Sequence, residues 1–224
     1  STAPFSTLLK KVAGIAPQRD VPQFATETFK SWHAKRGNGS GAPPGKSRTV
    51  ILWPDTFNNF LRTPAAKASL ETLEAAGFHV SVPQTHLCCG RPLYDFGMLD
   101  TAKKLLRQIL DTLRPQIRDG VKIVGVEPSC IAVFRDELTN LFPNDEDAKR
   151  LAKGTYLLSE FLDSDAADWE MPQVRRKALV HRHCHHHAIM GFDAEEAILQ
   201  RLGLDYEILD SGCCGMAGSF GFEK

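Results

Sequence analysis

The residues of this 224-residue chain best suited to chemistry are six cysteines, Cys88, Cys89, Cys130, Cys184, Cys213 and Cys214. They include two adjacent pairs, each followed by glycine: Cys88-Cys89-Gly90 and Cys213-Cys214-Gly215. Adjacent cysteines seldom bond to each other, because the small ring strains the peptide. Six thiols are also too few for a disulfide scaffold at this length. In a reducing compartment, clustered thiols read first as metal ligands or redox groups. Thiolates are the preferred ligands of iron–sulfur clusters and suit zinc equally well. Gly90 and Gly215 would let the backbone approach a bulky inorganic group and offer amides to its sulfurs. The small-residue run Gly215-Met216-Ala217-Gly218-Ser219-Phe220-Gly221 extends that property. A phosphate-cradling loop competes as a reading of this run, but the lysine of a P-loop is missing.

Imidazoles crowd one of the thiols. His183, His185, His186 and His187 flank Cys184, and His181 alternates with His183. One of them could complete a tetrahedral zinc site, with His183 and His185 the named candidates, although a histidine beside a cysteine is more often a hydrogen-bonding neighbour. Glu127 offers either a ligand oxygen or a helix cap, the cap being the simpler reading. Arg91 is placed to balance cluster charge, with solvation as its default. Trp32, Trp53 and Trp169 read as packing residues, and the acidic stretch 163–170 as a solvated loop.

The elements that must position these residues alternate between strands and helices. Thr49-Val50-Ile51-Leu52-Trp53 is a buried strand, and Thr63-Pro64 reads as a helix cap with a first-turn proline. His79-Val80-Ser81-Val82 is a second strand leading to Cys88. Ala102, Leu105, Leu106, Ile109, Leu110 and Leu113 share one helix face, with Pro115 as the expected stop. Residues 121–126 form a third strand that delivers Glu127-Pro128-Ser129-Cys130 to a helix start. Farther on, Ala178-Leu179-Val180 delivers the His181–His187 segment. Asp193 and Glu196 suggest a capping box, and Tyr206-Glu207-Ile208-Leu209 delivers the second triplet. Before all of this lie scattered apolar residues, a helix expected from about Phe24 to Lys35, and the Gly/Pro-rich stretch 37–45.

The two halves share a frame of strand, loop, helix, strand and Cys-Cys-Gly. Cys184 stands 29 positions before Cys213, and Phe57 stands 31 before Cys88 (213 − 184 and 88 − 57). The leading position of the first half therefore carries no cysteine, and the second half has no counterpart of Cys130 before Lys224. From this pattern a natural chain that continues past Lys224 is expected. The fold expected is α/β, with two pseudo-repeated lobes, each a small parallel sheet flanked by helices. Expected boundaries are a helical adapter over 1–36, a linker over 37–47, a first cysteine-rich lobe over 48–170 and a second over 171–224. The cysteines then sit at the carboxyl ends of strands, where open α/β sheets place their ligands.

Composition narrows the function. Lys+Arg 27 balances Asp+Glu 27, so no global basic excess supports binding to nucleic acid. No stretch approaches the roughly 20 apolar residues of a membrane helix. Hydrophobic and charged fractions of 42% and 24% are those of an ordinary globular protein.

The two triplets, Glu127-Pro128-Ser129-Cys130 and the Cys213–Gly221 run resemble the duplicated cysteine-rich domain with Cys-Cys-Gly motifs. That domain occurs in a subunit of heterodisulfide reductase, in iron–sulfur subunits of lactate utilisation, glycolate oxidase and glycerol-3-phosphate dehydrogenase, and at the C-terminus of FAD-linked D-2-hydroxyacid oxidases. The resemblance spans roughly residues 48–224. It implies an iron–sulfur module, of [4Fe-4S] type, that takes electrons from a flavin oxidising glycolate, D-lactate or D-2-hydroxyglutarate. FAD would sit on a separate domain or polypeptide, and a downstream acceptor would be the second partner. The implied place is the cytoplasm, at most peripheral to the inner membrane face. Carried over position by position, the ligands are Cys88, Cys89 and Cys130, then Cys184, Cys213 and Cys214. The sequence departs from the pattern at Phe57 and at Glu127, where the family has cysteines. One cluster, at the lobe interface or in the second half, is therefore implied rather than two. A zinc-stabilised docking domain and a thiol–disulfide catalyst are the alternatives.

Overall fold

The computed structural model describes residues 3–20, 22–37, 49–212, 214–216 and 220–223. Most of the 37–47 linker, Cys213 and residues 217–219 lie outside them. Four strands form one all-parallel sheet: β1 (Thr49–Leu52), β2 (His79–Ser81), β3 (Lys122–Gly125) and β4 (Thr155–Leu157), in the order β2-β1-β3-β4. Ile51 is in register with Ser81 on one side and Ile123 on the other. Side chains of a strand alternate between faces, and here both faces are apolar. Ile51 and Ile123 enter one buried cluster, while Val50, Leu52 and Val124 enter the other. The continuous apolar runs are thus the mark of strands covered on both sides.

Helices supply the covers. On the second cluster's face, α4 (Thr63–Ala75) contributes Ala66, Leu70 and Leu73, and α10 (Leu158–Asp165) contributes Phe161 and Leu162. On the other face lies α6 (Leu99–Arg118), which buries Ala102, Leu106, Ile109, Leu110, Leu113 and Ile117. The helix runs past Pro115, where the sequence predicts its end. A proline near a helix end removes one hydrogen bond. Against that loss stand the burial of Ile117 and the grip of Arg118 on the Asp147 carboxylate. Cys89 and Cys130 belong to this same cluster, beside Leu106, Ile131 and Phe134.

Between α7 (Pro128–Arg135) and α10 the sequence pattern marks no elements. The chain forms α8 (Glu137–Leu141), α9 (Glu146–Lys153) and β4 there. Arg135 of α7 ties down β4 and α10, donating to the Thr155 carbonyl at 2.9 Å and to both oxygens of Glu160, while Asp147 holds α9 to Arg118 of α6. Part of the 163–170 stretch, expected as loop, is the end of α10.

In the second half, β5 (Lys177–Val180) and β6 (Asp205–Ile208) pair in parallel around α11 (Asp193–Arg201). This repeats the strand–helix–strand plan. The capping box expected at Asp193 does not form: Phe192 holds the cap position and makes no side-chain bond. Likewise Arg62, not Thr63, precedes α4, again with no side-chain cap. The N-terminal region holds α1 (Ala3–Val12) and α2 (Phe29–Arg36). The second of these starts five residues later than expected, because Thr28 caps it by accepting from Ser31 N–H at 3.1 Å. Phe29 is wholly buried in the second cluster, and Ala16 N–H donates to Phe222 O at 2.8 Å.

Two stability tests follow from this packing. Leu106→Ala removes a fully buried side chain from the cysteine-bearing cluster, and chemical denaturation should show a loss of about 2–5 kcal/mol. Asp147 is held below the ordinary carboxylate range by the Arg118 guanidinium, helped by Arg150. A carboxyl with a lowered folded pKa stabilises above its unfolded pKa and stops doing so as pH falls through the folded value. The urea midpoint of Asp147→Asn should therefore lie below that of the unaltered chain at neutral pH, with the gap closing in acid.

Candidate metal centre

Three sulfur donors of the first half are delivered to one place by two strand–loop–helix connections. After β2 the chain buries Val82 and Leu87, which pins the segment carrying Cys88 and Cys89 to the core. Gly90 then turns with φ +75, the left-handed region that favours glycine, and opens the short helix α5 (Arg91–Asp95). The backbone N–H groups of Gly90 and Arg91 donate to the sulfurs of Cys88 and Cys89 respectively. From the other side, β3 ends at Gly125, where a Cβ would stand 2.4 Å from Ile131 Cδ1. A larger residue there would have to push the buried Ile131 side chain aside. Glu127 caps α7 by accepting from Ser129 N–H at 3.2 Å, the structural role the sequence favoured, and Cys130 falls in the first turn.

Cys89 Sγ and Cys130 Sγ meet at 2.9 Å, with Cys89 3% and Cys130 8% exposed. A disulfide would measure about 2.05 Å, so these are thiols in contact. Cys88, half-buried, touches Cys89 and the hydroxyl of Thr56. Thr56 opens α3 (Thr56–Phe60), beside the position where the repeat places a leading cysteine. A hydroxyl therefore stands next to where the frame expected a thiol. Contact with Cys89, and then burial, pushes the Cys88 thiol up; contact with Cys130, and burial, does the same for Cys89. Such thiols stay protonated until a cation is present to favour the thiolate.

The surroundings of the pair carry polar atoms left without partners. Tyr94 Oη, Glu137 Oε2, Trp53 Nε1 and, in the second half, His183 Nδ1 are buried with no hydrogen-bond partner among the described residues. Tyr94 packs against the cluster that holds Cys89 and Cys130, and its phenol is pushed up by burial, then by Glu137 and Cys89. Buried polar groups are ordinarily satisfied, and each exception asks for an explanation. Soft sulfur donors, backbone amides aimed at them and orphaned polar atoms around them fit an iron–sulfur or zinc group. At 2.9 Å the Cys89 and Cys130 sulfurs are closer than two ligands of one tetrahedral ion, about 3.7 Å, so holding a metal atom between them requires them to part.

The second half presents a different donor set. The segment after β5 enters a turn of π-helix, His186–Met190, that packs on α7, with Met190 against the cysteine-bearing cluster. Here His183, Cys184 and His185 bring three donor atoms within 4.8 Å of one another. Cys184 Sγ lies 3.6 Å from His185 Nδ1, and the two rings of His183 and His185 are 5.6 Å apart. His185 is held toward its neutral form by burial first, then by Arg91 and His183. Arg91 follows the first triplet and pairs with Glu137 and Asp95, in place of the solvation expected by default.

The remaining histidines separate from this group. His186 turns inward, 6% exposed, against the Phe192 ring; His187 is exposed; His181 Nε2 contacts Gly212 O at 3.0 Å. Cys214 and Gly215 are exposed, Gly215 with φ +77, while Cys213 lies outside the described residues. Sequence reasoning missed Thr56, Tyr94 and Glu137. Each is an ordinary residue type whose role comes only from what it is folded against.

Comparison with known proteins points to one family. The model of the cysteine-rich domain family CCG matches residues 56–135, a span holding the first triplet and Cys130. Lactate utilization protein A of Bacillus subtilis is 30% identical over 180 residues, covering 76% of this chain and 74% of the relative. The Geobacillus kaustophilus protein of the same name is 32% identical over 180 residues, covering 76% of this chain and 73% of the relative. A third relative, from Escherichia coli K12, is the C component of anaerobic glycerol-3-phosphate dehydrogenase. It is 27% identical over 229 residues, matching 100% of this chain and 57% of the relative. No solved structure matches significantly.

Burial divides the thiols into two classes with different reactivity. In reduced, metal-free protein, mass-spectrometric mapping after a short alkylation pulse should find Cys184 and Cys214 modified and Cys89 and Cys130 protected. Equal labelling of Cys89 and Cys184 would contradict the arrangement described.

Proposed function

The chain belongs to the family of proteins built on the cysteine-rich CCG domain, and from that premise we propose that it is the iron–sulfur electron-transfer module of a flavin-linked oxidoreductase. The observation that carries the reading is the meeting of Cys89 and Cys130 at 2.9 Å in the core, beside Cys88. Cys88, Cys89 and Cys130 are the first-half donors, and Cys184, Cys213 and Cys214 are the second-half donors that family resemblance supplies. When bound, the iron–sulfur centre supplies reversible one-electron chemistry. The rest of the work belongs to the chain. Leu106, Ile131 and Phe134 keep water from the buried sulfurs, and the Gly90 and Arg91 amides donate to them. The Arg91 side chain that follows the triplet is held by Glu137 and Asp95.

The names of the relatives, lactate utilization protein A and a component of glycerol-3-phosphate dehydrogenase, support a redox role alongside a dehydrogenase partner. The finer reading is that this partner is an FAD protein oxidising a D-2-hydroxy acid. Each turnover would release two electrons and two protons as the hydroxyl becomes a carbonyl group, the electrons leaving singly through this chain to a further acceptor. Glycolate, D-lactate and D-2-hydroxyglutarate are the substrates to compare. No described helix is long and apolar enough to cross a membrane. The [4Fe-4S] assignment requires the Cys89 and Cys130 sulfurs to spread apart, since cysteines on separate irons stand farther from each other than two on one metal atom.

Anaerobic reconstitution with iron and sulfide tests the reading. Broad visible absorbance should appear, with an EPR signal on reduction, and both should be lost in Cys89→Ser and Cys130→Ser. Uptake of zinc alone, with no iron absorbance, would replace the electron carrier with a zinc-stabilised docking domain.

A further inference from the structure

A buried hydroxyl packs against the core that holds the paired sulfurs and belongs to no ligand. We propose that the Tyr94 hydroxyl donates a hydrogen bond to the Cys89 sulfur once that sulfur is an iron ligand, and that this bond raises the reduction potential of the centre. This role rests on the electron-transfer reading and deepens it, since it names a residue outside the cysteines that sets how readily an electron is accepted. Tyr94 acts through Cys89, as a positioning residue and not as a ligand.

Local structure brings the phenol to the sulfurs. The triplet runs straight into α5, with Leu93 N–H donating to Gly90 O at 2.8 Å and Gly97 N–H donating to Tyr94 O at 2.9 Å. A Cβ on Gly90 would stand 3.4 Å from Leu105 Cδ1 and 3.7 Å from Ala102 Cα, so the start of α5 lies close against α6. The same short helix contacts α7, which carries Cys130. Held to both helices, α5 packs the Tyr94 ring against the cluster that contains Cys89, Cys130, Leu106 and Phe134. The hydroxyl at the end of that ring is buried and has no hydrogen-bond partner among the described residues.

Buried donors are ordinarily paired, and two acceptors stand near this one. Burial, then Glu137 and Cys89, push the phenol up, so both the carboxylate and the sulfur lie within its electrostatic reach and the group stays a donor. Glu137 is the poorer claimant. Its carboxylate is paired with Arg91, and its Oε2 is itself buried and unpartnered among the described residues, so the phenol is not seated on it. Cys89 is a weak acceptor as a thiol and a strong one as a thiolate. On metal binding its proton passes to solvent and the sulfur becomes an anion. Hydrogen bonds to such an anion are the strong ones. The arriving electron, supplied by the reduced flavin of the partner, makes the sulfur ligands more negative still, while the Tyr94 O–H bond stays intact. A donor aimed at one of those sulfurs therefore favours the reduced form, and hydrogen bonds to the sulfurs are among the means by which proteins set such potentials.

The test is a redox titration of the chain after anaerobic reconstitution with iron and sulfide, reading visible absorbance and the EPR signal against the applied potential. Three altered chains are compared with the unaltered one. Tyr94→Phe removes the donor and keeps the ring, 3-fluorotyrosine in place of Tyr94 strengthens the donor, and Tyr156→Phe changes a tyrosine packed against the other buried cluster. Tyr94→Phe should take up the same iron with a more negative midpoint. At the midpoint of the unaltered chain its ratio of reduced to oxidised centre should fall several-fold, a tenfold fall being about 59 mV for one electron. The fluorotyrosine chain should shift the opposite way, which lost packing would not produce, and Tyr156→Phe should not shift. One midpoint shared by all the iron-loaded chains, or shifts of the same sign in the phenylalanine and fluorotyrosine chains, would overturn the proposal. Where Tyr94→Phe takes up no iron, the fluorotyrosine chain decides by the direction of its shift. An unaltered chain that takes up no iron defeats the electron-transfer reading and this role with it, whereas iron uptake with an unmoved midpoint defeats only the role of Tyr94.

Discussion

Two thiols forced together inside an apolar core are the constraint around which this molecule is arranged. Cys89 and Cys130 come from segments 41 residues apart and touch at 2.9 Å among Leu106, Ile131 and Phe134. Cys89 does not ionise there unaided, because burial penalises the anion and the thiol beside it would become a like charge. A cation removes both penalties at once. The same closeness that disfavours ionisation in the free protein thus favours capture of a metal, and the amides of Gly90 and Arg91 are already turned toward the sulfurs.

The parallel sheet makes that meeting possible. All strands of the first sheet run the same way, so the loops leaving β1, β2 and β3 emerge at one edge. Thr56, Cys88–Cys89 and Cys130 are the residues those three loops carry. Gly125 has no room for a Cβ against Ile131, and this close approach lets α7 start directly above the strand end. The fold does not decorate a finished core with a site. The cysteines are themselves part of the cluster that the sheet and α6 bury, so loss of packing and loss of the donor set are one event.

What the sequence reveals is what is local. The strands β1, β3 and β5 announce themselves as apolar stretches, β2 and β6 as short alternating ones, α6 as a helical stripe, and the triplets as cysteines followed by glycine. The parallel pairing of both sheets and the capping role of Glu127 are legible on those grounds. The α8–β4 region is not, because its helices are short, and its order comes from tertiary contacts: Leu138 and Leu151 in the core, Arg118 on Asp147, and Arg135 on Thr155. Pro115 misleads for the same kind of reason: local propensity says stop, while Ile117 and the Arg118–Asp147 pair, which are tertiary, say continue. The histidines are visible as a group, but only the fold separates His183 and His185, which face Cys184, from His186, which faces Phe192.

The two halves of the site differ in a way that bears on how each can be used. In the first half the donors are all sulfur, with Cys89 and Cys130 buried among apolar side chains and Cys88 half-buried beside them. A group held there is shielded from water, with Tyr94 packed against the same cluster. In the second half the donors are mixed nitrogen and sulfur, and Cys184 lies at the surface. A centre meant to carry electrons gains from the first environment, since few solvent dipoles must reorient when its charge changes. A centre meant to fix a backbone, or to keep a position open to solvent, gains from the second. The field of Arg91 reaches His185 across the junction, and the π-turn rests on the helix that bears Cys130. The turn that follows the His183–His185 segment thus rests on the helix that carries Cys130, so the two donor sets stand on neighbouring elements.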